Sequence, residues 1–385
     1  MATKRRGRNE GSIGFYNGRW VAQLTVETGQ RRRFYGRTRT EANDKLQAAL
    51  GAVRSGLPVP TDRLTVDEYM YNWLIGARRS LRPSTAGTYE RHIRLHILPA
   101  LGRLPVARVR PEQLDRLYAG LLAKGLSRTT VQHVHAILRR SLSQATRRGV
   151  IARNPTDLVD PPGRDHPEMQ VLSIDQARAL LAAAKTPRHA GLEALYVLAL
   201  TTGMRRGELL ALRWADVDLP GRTLTVTGTL QRVKRADGTS VLERAQPKTK
   251  TSMRRIPLTS VAADALSRHA RGHERQRDIA GTEWVVSGFV FINERGGPME
   301  PRNLIARSFT PLLTDAGIPH VRFHDLRHTA ATLMAAQGVH TKVVSEVLGH
   351  ASVGITLDLY SHVTPSMAQQ AVTAMEDVFG GSGGQ

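Results

Sequence analysis

The hydrophobic pattern changes character along the chain: strand-like at the start, helical through the middle, mixed beyond about Met169. Residues 11–35 read GSIGFYNGRWVAQLTVETGQRRRFY, short β-rich runs of apolar and polar side chains. Asn17-Gly18 joins the first two runs, a pair suited to the left-handed positions of a two-residue hairpin turn. A second turn at Thr28-Gly29 leads into RRRFY, a third strand. TEANDKLQAALGAV then has helical spacing, with Thr40 as its expected N-cap. The pattern predicts a three-stranded sheet backed by one helix over residues 1–56.

SGLPVPTD reads as a linker, and residues 63–160 as all-helical. LTVDEYMYNWLIGARR, RPEQLDRLYAGLLAKG and SRTTVQHVHAILRRSLSQATRRG are amphipathic helices, the last with a basic face that includes Arg139 and Arg140. PSTAGTYERHIRLHILPALG is a helix expected to end at Pro99, and NPTDLVDPPGRDHP a second linker. In residues 167–379, SIDQARALLAAAK, HAGLEALYVLALTTG and RRGELLALRW read as helices. RTLTVTGTLQRV and TSMRRIPL read as strands joined by a charged stretch containing QPKTK. An amphipathic helix over SMAQQAVTAMEDVF and a flexible tail at 380–385 close the chain. The expected fold class is multidomain α+β: a small sheet with one helix, an all-α domain, and a mainly α domain with a small sheet.

Charge narrows the partners. The net charge is +22, carried by 55 basic and 33 acidic residues. Residues 1–60 hold 12 Lys/Arg against 4 Asp/Glu and residues 61–165 hold 18 against 9, whereas the longest segment is nearly balanced at 25 against 20. A regional excess of this kind points to an anionic polymer, and double-stranded DNA fits it best. Arg31, Arg32 and Arg33 alternate across the third strand, so one face of the sheet should be basic, and such a ribbon fits a major groove. There are no cysteines, which excludes disulfides and thiolate metal sites. No apolar stretch is long enough to span a bilayer and no signal peptide is evident, so the expected location is cytoplasmic, associated with the nucleoid.

Four groups in the last segment could carry chemistry. Arg205 and Glu208 lie three apart, as do His324 and Arg327, so each pair shares a helix face. Lys248 and Lys250 sit at a strand boundary, and His350 precedes Tyr360 by ten positions. His324 and His328 are four apart, but Asp325 replaces the glutamate of the zinc-protease pattern and Arg327 would repel a cation. His328 is read as structural. Two guanidiniums can hold both non-bridging oxygens of a phosphodiester, and histidines can donate to the same oxygens where charge builds. A lysine can protonate a leaving alkoxide and a tyrosine can attack phosphorus. The set suffices for phosphoryl transfer with no metal or cofactor.

TGMRRGELLALRW, HDLRHT and LGHASVGITLDLYSH resemble, in order and spacing, the three signature boxes of the tyrosine recombinases, or phage integrases. The resemblance covers about residues 63–379, and the N-terminal segment is similar to the arm-type DNA-binding domain of many integrases. It implies that Arg205, His324, Arg327 and His350 bind the scissile phosphate, that Glu208 supports them, and that Tyr360 forms a 3′-phosphotyrosine. Of the lysines, it favours Lys248 as the acid, since a K-T dipeptide precedes the S-x-R-x-x-P strand in related integrases; Lys250 is the competitor. One departure is the spacing from His350 to Tyr360, one residue longer than in many members. The implied reaction joins two sites through a Holliday junction on a homotetramer, with accessory DNA-bending or excision factors as further partners. Resolvase or invertase activity, a non-catalytic DNA-binding protein of the same fold, and a type IB topoisomerase are the alternatives.

Overall fold

The computed structural model describes residues 11–25, 31–54, 64–163, 165, 169–235, 239–246 and 253–349. They fall into two compact units, over residues 1–166 and 167–385. The first unit contains two separate hydrophobic cores.

The smaller core belongs to the sheet. Strands β1 (Ser12–Tyr16), β2 (Arg19–Thr25) and β3 (Arg31–Gly36) pair antiparallel in the order β1-β2-β3. Asn17 and Gly18 both take positive φ, 49° and 75°, as the hairpin requires. Helix α1 (Arg39–Arg54) covers one face, packing Leu46 and Leu50 on Ala22 and Leu24. Register pairs Leu24 with Arg32, so Arg32 projects to the α1 side, while Arg31 and Arg33 pair with Thr25 and Gln23 on the open side. The open face also carries Arg19 and the exposed Tyr16 and Tyr35. It is basic and aromatic together. The α1 cap is Thr38, not Thr40: Thr38 Oγ1 accepts the Glu41 N–H at 3.1 Å, and Glu41 accepts the Arg37 N–H in return.

The larger core is helical. Helix α2 (Val66–Arg78) starts in a capping box between Thr65 and Glu68. Helices α3 (Pro83–His92), α4 (Leu98–Leu101), α5 (Pro111–Ala123) and α6 (Arg128–Arg147) complete the bundle. Met70, Ile97, Leu114, Val134 and Leu138 fill it, and Trp73 Nε1 donates to Gln144 at 2.8 Å. Arg139 and Arg140 are exposed on α6; Arg139 lies 3.4 Å from Asp157, and Arg140 sits over the Tyr89 ring at 6.0 Å.

Pro99 does not end the helix expected to stop there. The turn Ile93–Ile97 widens to π geometry, and the Leu98 N–H donates to Ile93 O, five residues back. Proline lacks an N–H and its ring crowds the carbonyl four residues earlier; a wider turn removes the clash and the helix continues. The same solution recurs at Leu304–Phe309 before Pro311, where Thr310 N–H donates to Ile305 O. The stretch read as a second linker begins with regular structure: Asn154 caps a short 3₁₀ turn at Pro155–Leu158 and Thr156 is buried.

The second unit is built around one helix. Helix α7 (Ile174–Ala184) precedes α8 (Glu193–Thr202), and most of the α8 side chains are buried. A helix apolar all round belongs at the centre of a core. Short helix α9 (Arg206–Leu209) follows, then strands β4 (Val217–Asp218), β5 (Thr223–Val226), β6 (Thr229–Lys234), β7 (Ser240–Ala245) and β8 (Arg254–Pro257). They form a sheet of order β4-β5-β8 and a separate hairpin of β6 and β7. RTLTVTGTLQRV is therefore two strands rather than one, and the charged connection holds a strand, β7. Helices α10 (Ser260–Ala280), α11 (Pro301–Asn303), α12 (Thr310–Asp315), α13 (Asp325–Ala336) and α14 (Thr341–Leu348) complete the unit. No helix among the described residues is long and apolar enough to cross a membrane. The C-terminal helix read over SMAQQAVTAMEDVF lies outside the described residues.

Candidate active site

The site is assembled where α8, α9, α13, β8 and the end of α14 meet. Thr202 closes α8 by donating to Leu198 O at 2.6 Å, and Gly203 reverses the chain at φ 60°. The chain re-enters helix at α9 with Arg205 as N-cap, so the T-G-x-R spacing is that of a helix end, a left-handed turn and a helix start. Glu208, three residues on, accepts the Arg205 N–H at 3.0 Å and Arg205 Nη1 at 2.8 Å. Gly203 is enforced twice over, by its positive φ and because a Cβ there would overlap Leu348. Gly203→Ala is expected to cost about 3 kcal/mol, combining left-handed strain with overpacking, read as a fall in the urea midpoint at unchanged slope.

The second cluster sits at the start of α13. Buried Asp325 accepts the Arg322 N–H at 2.9 Å and Arg322 Nε and Nη2 at 3.1 and 2.8 Å, which fixes the turn. His324 is the residue before the helix and Arg327 lies one turn further on. Arg327 is only 4% exposed. Its Nη1 donates to Gly203 O at 2.8 Å, while buried Nη2 has no hydrogen-bond partner among the described residues. Burial and the charge of Arg205 push the Arg327 pKa down to about 9 against the opposing pull of Glu208, so it remains charged at neutral pH.

His328 is half-buried beside His324, the rings edge to face at 5.0 Å, and its Nδ1 is also buried without a partner among the described residues. Partial burial, then the charges of His328, Arg327 and Arg205, push the His324 pKa down to about 4. His324 is therefore neutral near pH 7 in the free protein. The unfolded chain protonates near pH 6.5, so acid weakens the fold through this group as pH falls from about 6.5 to about 4. An anion bound beside it acts in the opposite sense and raises its pKa. Binding of a core-site duplex near pH 5.5 is expected to take up protons, seen in calorimetry as a dependence of the binding heat on buffer ionisation enthalpy. His324→Asn should remove most of that uptake.

Arg254 joins the set without having been singled out as a site residue by sequence. It donates through Nη2 to Glu208 Oε2 at 2.9 Å and through Nε to Val347 O at 2.6 Å, and both side chains of the ion pair are 7% exposed. Burial alone would raise the Glu208 pKa, but the hydrogen bond and charge of Arg254 and the contacts from Arg205 outweigh it and hold the carboxyl below its usual value. Among the described residues, three guanidiniums thus gather around one carboxylate. Such an imbalance in a partly dry site suits an anionic group with several oxygens. A cleft of about 600 Å³ opens beside it, lined by Arg205, Arg206, His324 and Arg322 over a floor that includes Phe309 and Leu230.

The structure brings together Arg205, Glu208, His324 and Arg327. Lys248, Lys250, His350 and Tyr360 lie outside the described residues.

The phage integrase family model matches residues 170–367, and the model for the phage integrase N-terminal SAM-like domain matches residues 65–122. A tyrosine recombinase XerC-like protein of Caldanaerobacter subterraneus is 32% identical over 94% of this chain and 97% of its own length. Among solved structures, the Tn1549 transposon integrase in complex with a circular intermediate DNA superposes with a TM-score of 0.69 at 22% identity, over 81% of this chain and 99% of that one. A lambda integrase tetramer bound to a Holliday junction superposes at 0.55 and 18% identity, over 92% and 96%. With half the chain matched by the integrase model and nearly all of it by a recombinase relative, this chain belongs to the phage integrase family of tyrosine recombinases.

Proposed function

We propose that this tyrosine recombinase is the integrase of a phage or other mobile element, cutting and rejoining DNA at attachment-type sites as a homotetramer. The observation that carries the chemical part is Arg327: a buried, charged guanidinium with one nitrogen unpaired among the described residues, beside Arg205 and Arg254 and a single carboxylate. A scissile phosphodiester supplies the missing acceptors.

In this reading Arg205 and Arg327 neutralise the non-bridging oxygens, and His324 and His350 donate to them as charge builds. Glu208 holds Arg205 in place. The Tyr360 hydroxyl gives up its proton to water as its oxygen attacks phosphorus, the bond to the 5′ oxygen breaks, and Lys248 or Lys250 gives that oxygen its proton. A 3′-phosphotyrosine and a 5′-hydroxyl result. Each step exchanges one phosphoester for another, so the reverse step on a new strand needs no energy source. The domains are residues 1–56 for arm sites, 63–160 for core sites and 167–379 for catalysis. Arg31 and Arg33 on the open sheet face, and Arg139 and Arg140 on α6, are the proposed phosphate contacts; Arg32 on the α1 side contributes less. Support for the mobile-element role comes from the relatives, which include the transposon integrase, and from the basic sheet that precedes the helical domain.

The test uses attachment sites recovered from element–chromosome junctions. Purified protein with host extract should recombine two such sites in EDTA without ATP. Deleting residues 1–56 should abolish arm-site binding and leave core-site cleavage intact. A protein that recombines its sites equally well without that segment is a resolvase or invertase instead.

A further inference from the structure

Helix α14 ends against cations. A helix leaves its last carbonyls unpaired and carries partial negative charge at that end. Here Arg254 Nε donates to Val347 O at 2.6 Å and Arg205 Nη2 to Gly349 O at 3.2 Å. The same two guanidiniums grip Glu208 through different oxygens, Arg205 at Oε1 and Arg254 at Oε2. A carboxylate and two carbonyls are thus held by one pair of arginines. Gly349 belongs to this joint: it turns at φ 66°, and a Cβ there would press on the Arg254 guanidinium.

The two arginines are not equivalent. Arg205 lines the cleft with its side chain 39% exposed; Arg254 is 7% exposed and its Nη2 and Nε are taken up by Glu208 and Val347 O, whereas the Arg327 Nη2 has no partner among the described residues. In sequence, Arg254 follows Lys250 by four positions, and Val347 precedes His350 by three.

Resting on the recombinase reading above, we infer that Arg254 is a positioning residue: it fixes the end of α14, and so the start of the segment that carries His350 and Tyr360, against the phosphate-binding Arg205. It acts through the backbone of α14 and through Glu208, and it does not touch DNA. Only a planar fork can donate to Glu208 and to Val347 O at once; a lysine has the charge but not the geometry.

The test compares full-length wild type and Arg254→Lys on two nicked duplexes that trap the covalent adduct. One carries the ordinary bridging 5′ oxygen. The other carries sulfur there, which leaves as thiolate without a proton. Arg254→Lys should bind the core duplex within about twofold of wild type yet form adduct about a hundredfold more slowly on both substrates, the scale of a misplacement near one ångström. Should the lysine variant fail to fold, Arg254→Gln, which leaves Glu208 paired with Arg205, is read the same way. Slowing on oxygen alone would mean that Arg254 works through the acid lysine and would overturn the assignment. So would wild-type rates on both substrates, or a loss of DNA affinity that accounts for the loss of rate. A wild type that binds and never forms adduct fails differently: it refutes the recombinase reading itself.

Discussion

Arg327→Met is expected to abolish strand cleavage while leaving the protein as stable as wild type, or more so. Arg327 is 4% exposed, its Nη2 lacks a partner among the described residues, and its pKa is pushed down to about 9. These are the marks of a cation held out of water for something other than stability. Methionine fills similar space and removes the desolvated charge, so the melting temperature should hold or rise. The reaction loses neutralisation of the phosphate where charge builds, at a cost of about a thousandfold or more in adduct formation. Arg327→Lys should be nearly as slow, because an ammonium cannot bridge Gly203 O and a phosphate oxygen in one plane. A melting temperature several degrees below wild type for Arg327→Met would show that the guanidinium supports the fold instead.

Glu208→Ala is expected to do the reverse on stability and the same on activity. Glu208 lies between Arg205 and Arg254 and carries hydrogen bonds from both side chains and from the Arg205 backbone. Removing it takes the carboxylate away from buried Arg254, and breaking a buried pair in this way costs about 3–5 kcal/mol. Arg205 loses the carboxylate that holds its Nη1 and its backbone N–H, and adduct formation falls with it. Glu208→Gln keeps the shape and one acceptor, so it should recover part of the stability and less of the rate. Chemical denaturation of the three proteins beside their cleavage rates checks the ordering. On the proposed mechanism the pair of substitutions separates two roles in one cluster: Glu208 stabilises the cations, and Arg327 is the cation left for substrate.

Local features were the legible ones. Asn17-Gly18 fixes a hairpin through the backbone of two residues, and the Arg205–Glu208 and His324–Arg327 spacings are helical offsets that need no tertiary knowledge. The misses have tertiary or competing causes. Thr38 and Thr40 are equivalent as cap types; which one caps is decided by where β3 ends and the chain packs at Gly36, whose Cβ would meet Ala42 and Thr38. Pro99 reads as a stop because the π turn that accommodates it has no sequence signature of its own. Arg254 lies inside the S-x-R-x-x-P motif, but Glu208 and Val347, which tie it to the site, are 46 and 93 residues away. The alternating arginines of β3 gave the basic face, while the pairing of Leu24 with Arg32 shows which of them turns towards the helix.

In the proposed reaction Tyr360 attacks a phosphodiester held by this arginine cluster. The most direct measurement is adduct formation on a core-site duplex nicked near the crossover, so that religation fails, with wild type and Tyr360→Phe run side by side on a denaturing gel. A covalent protein–DNA band is expected in wild type, mapping to Tyr360 by peptide mass, and none in Tyr360→Phe at equal DNA binding. A band that persists in Tyr360→Phe, or no band in either on DNA that both bind tightly, would contradict it.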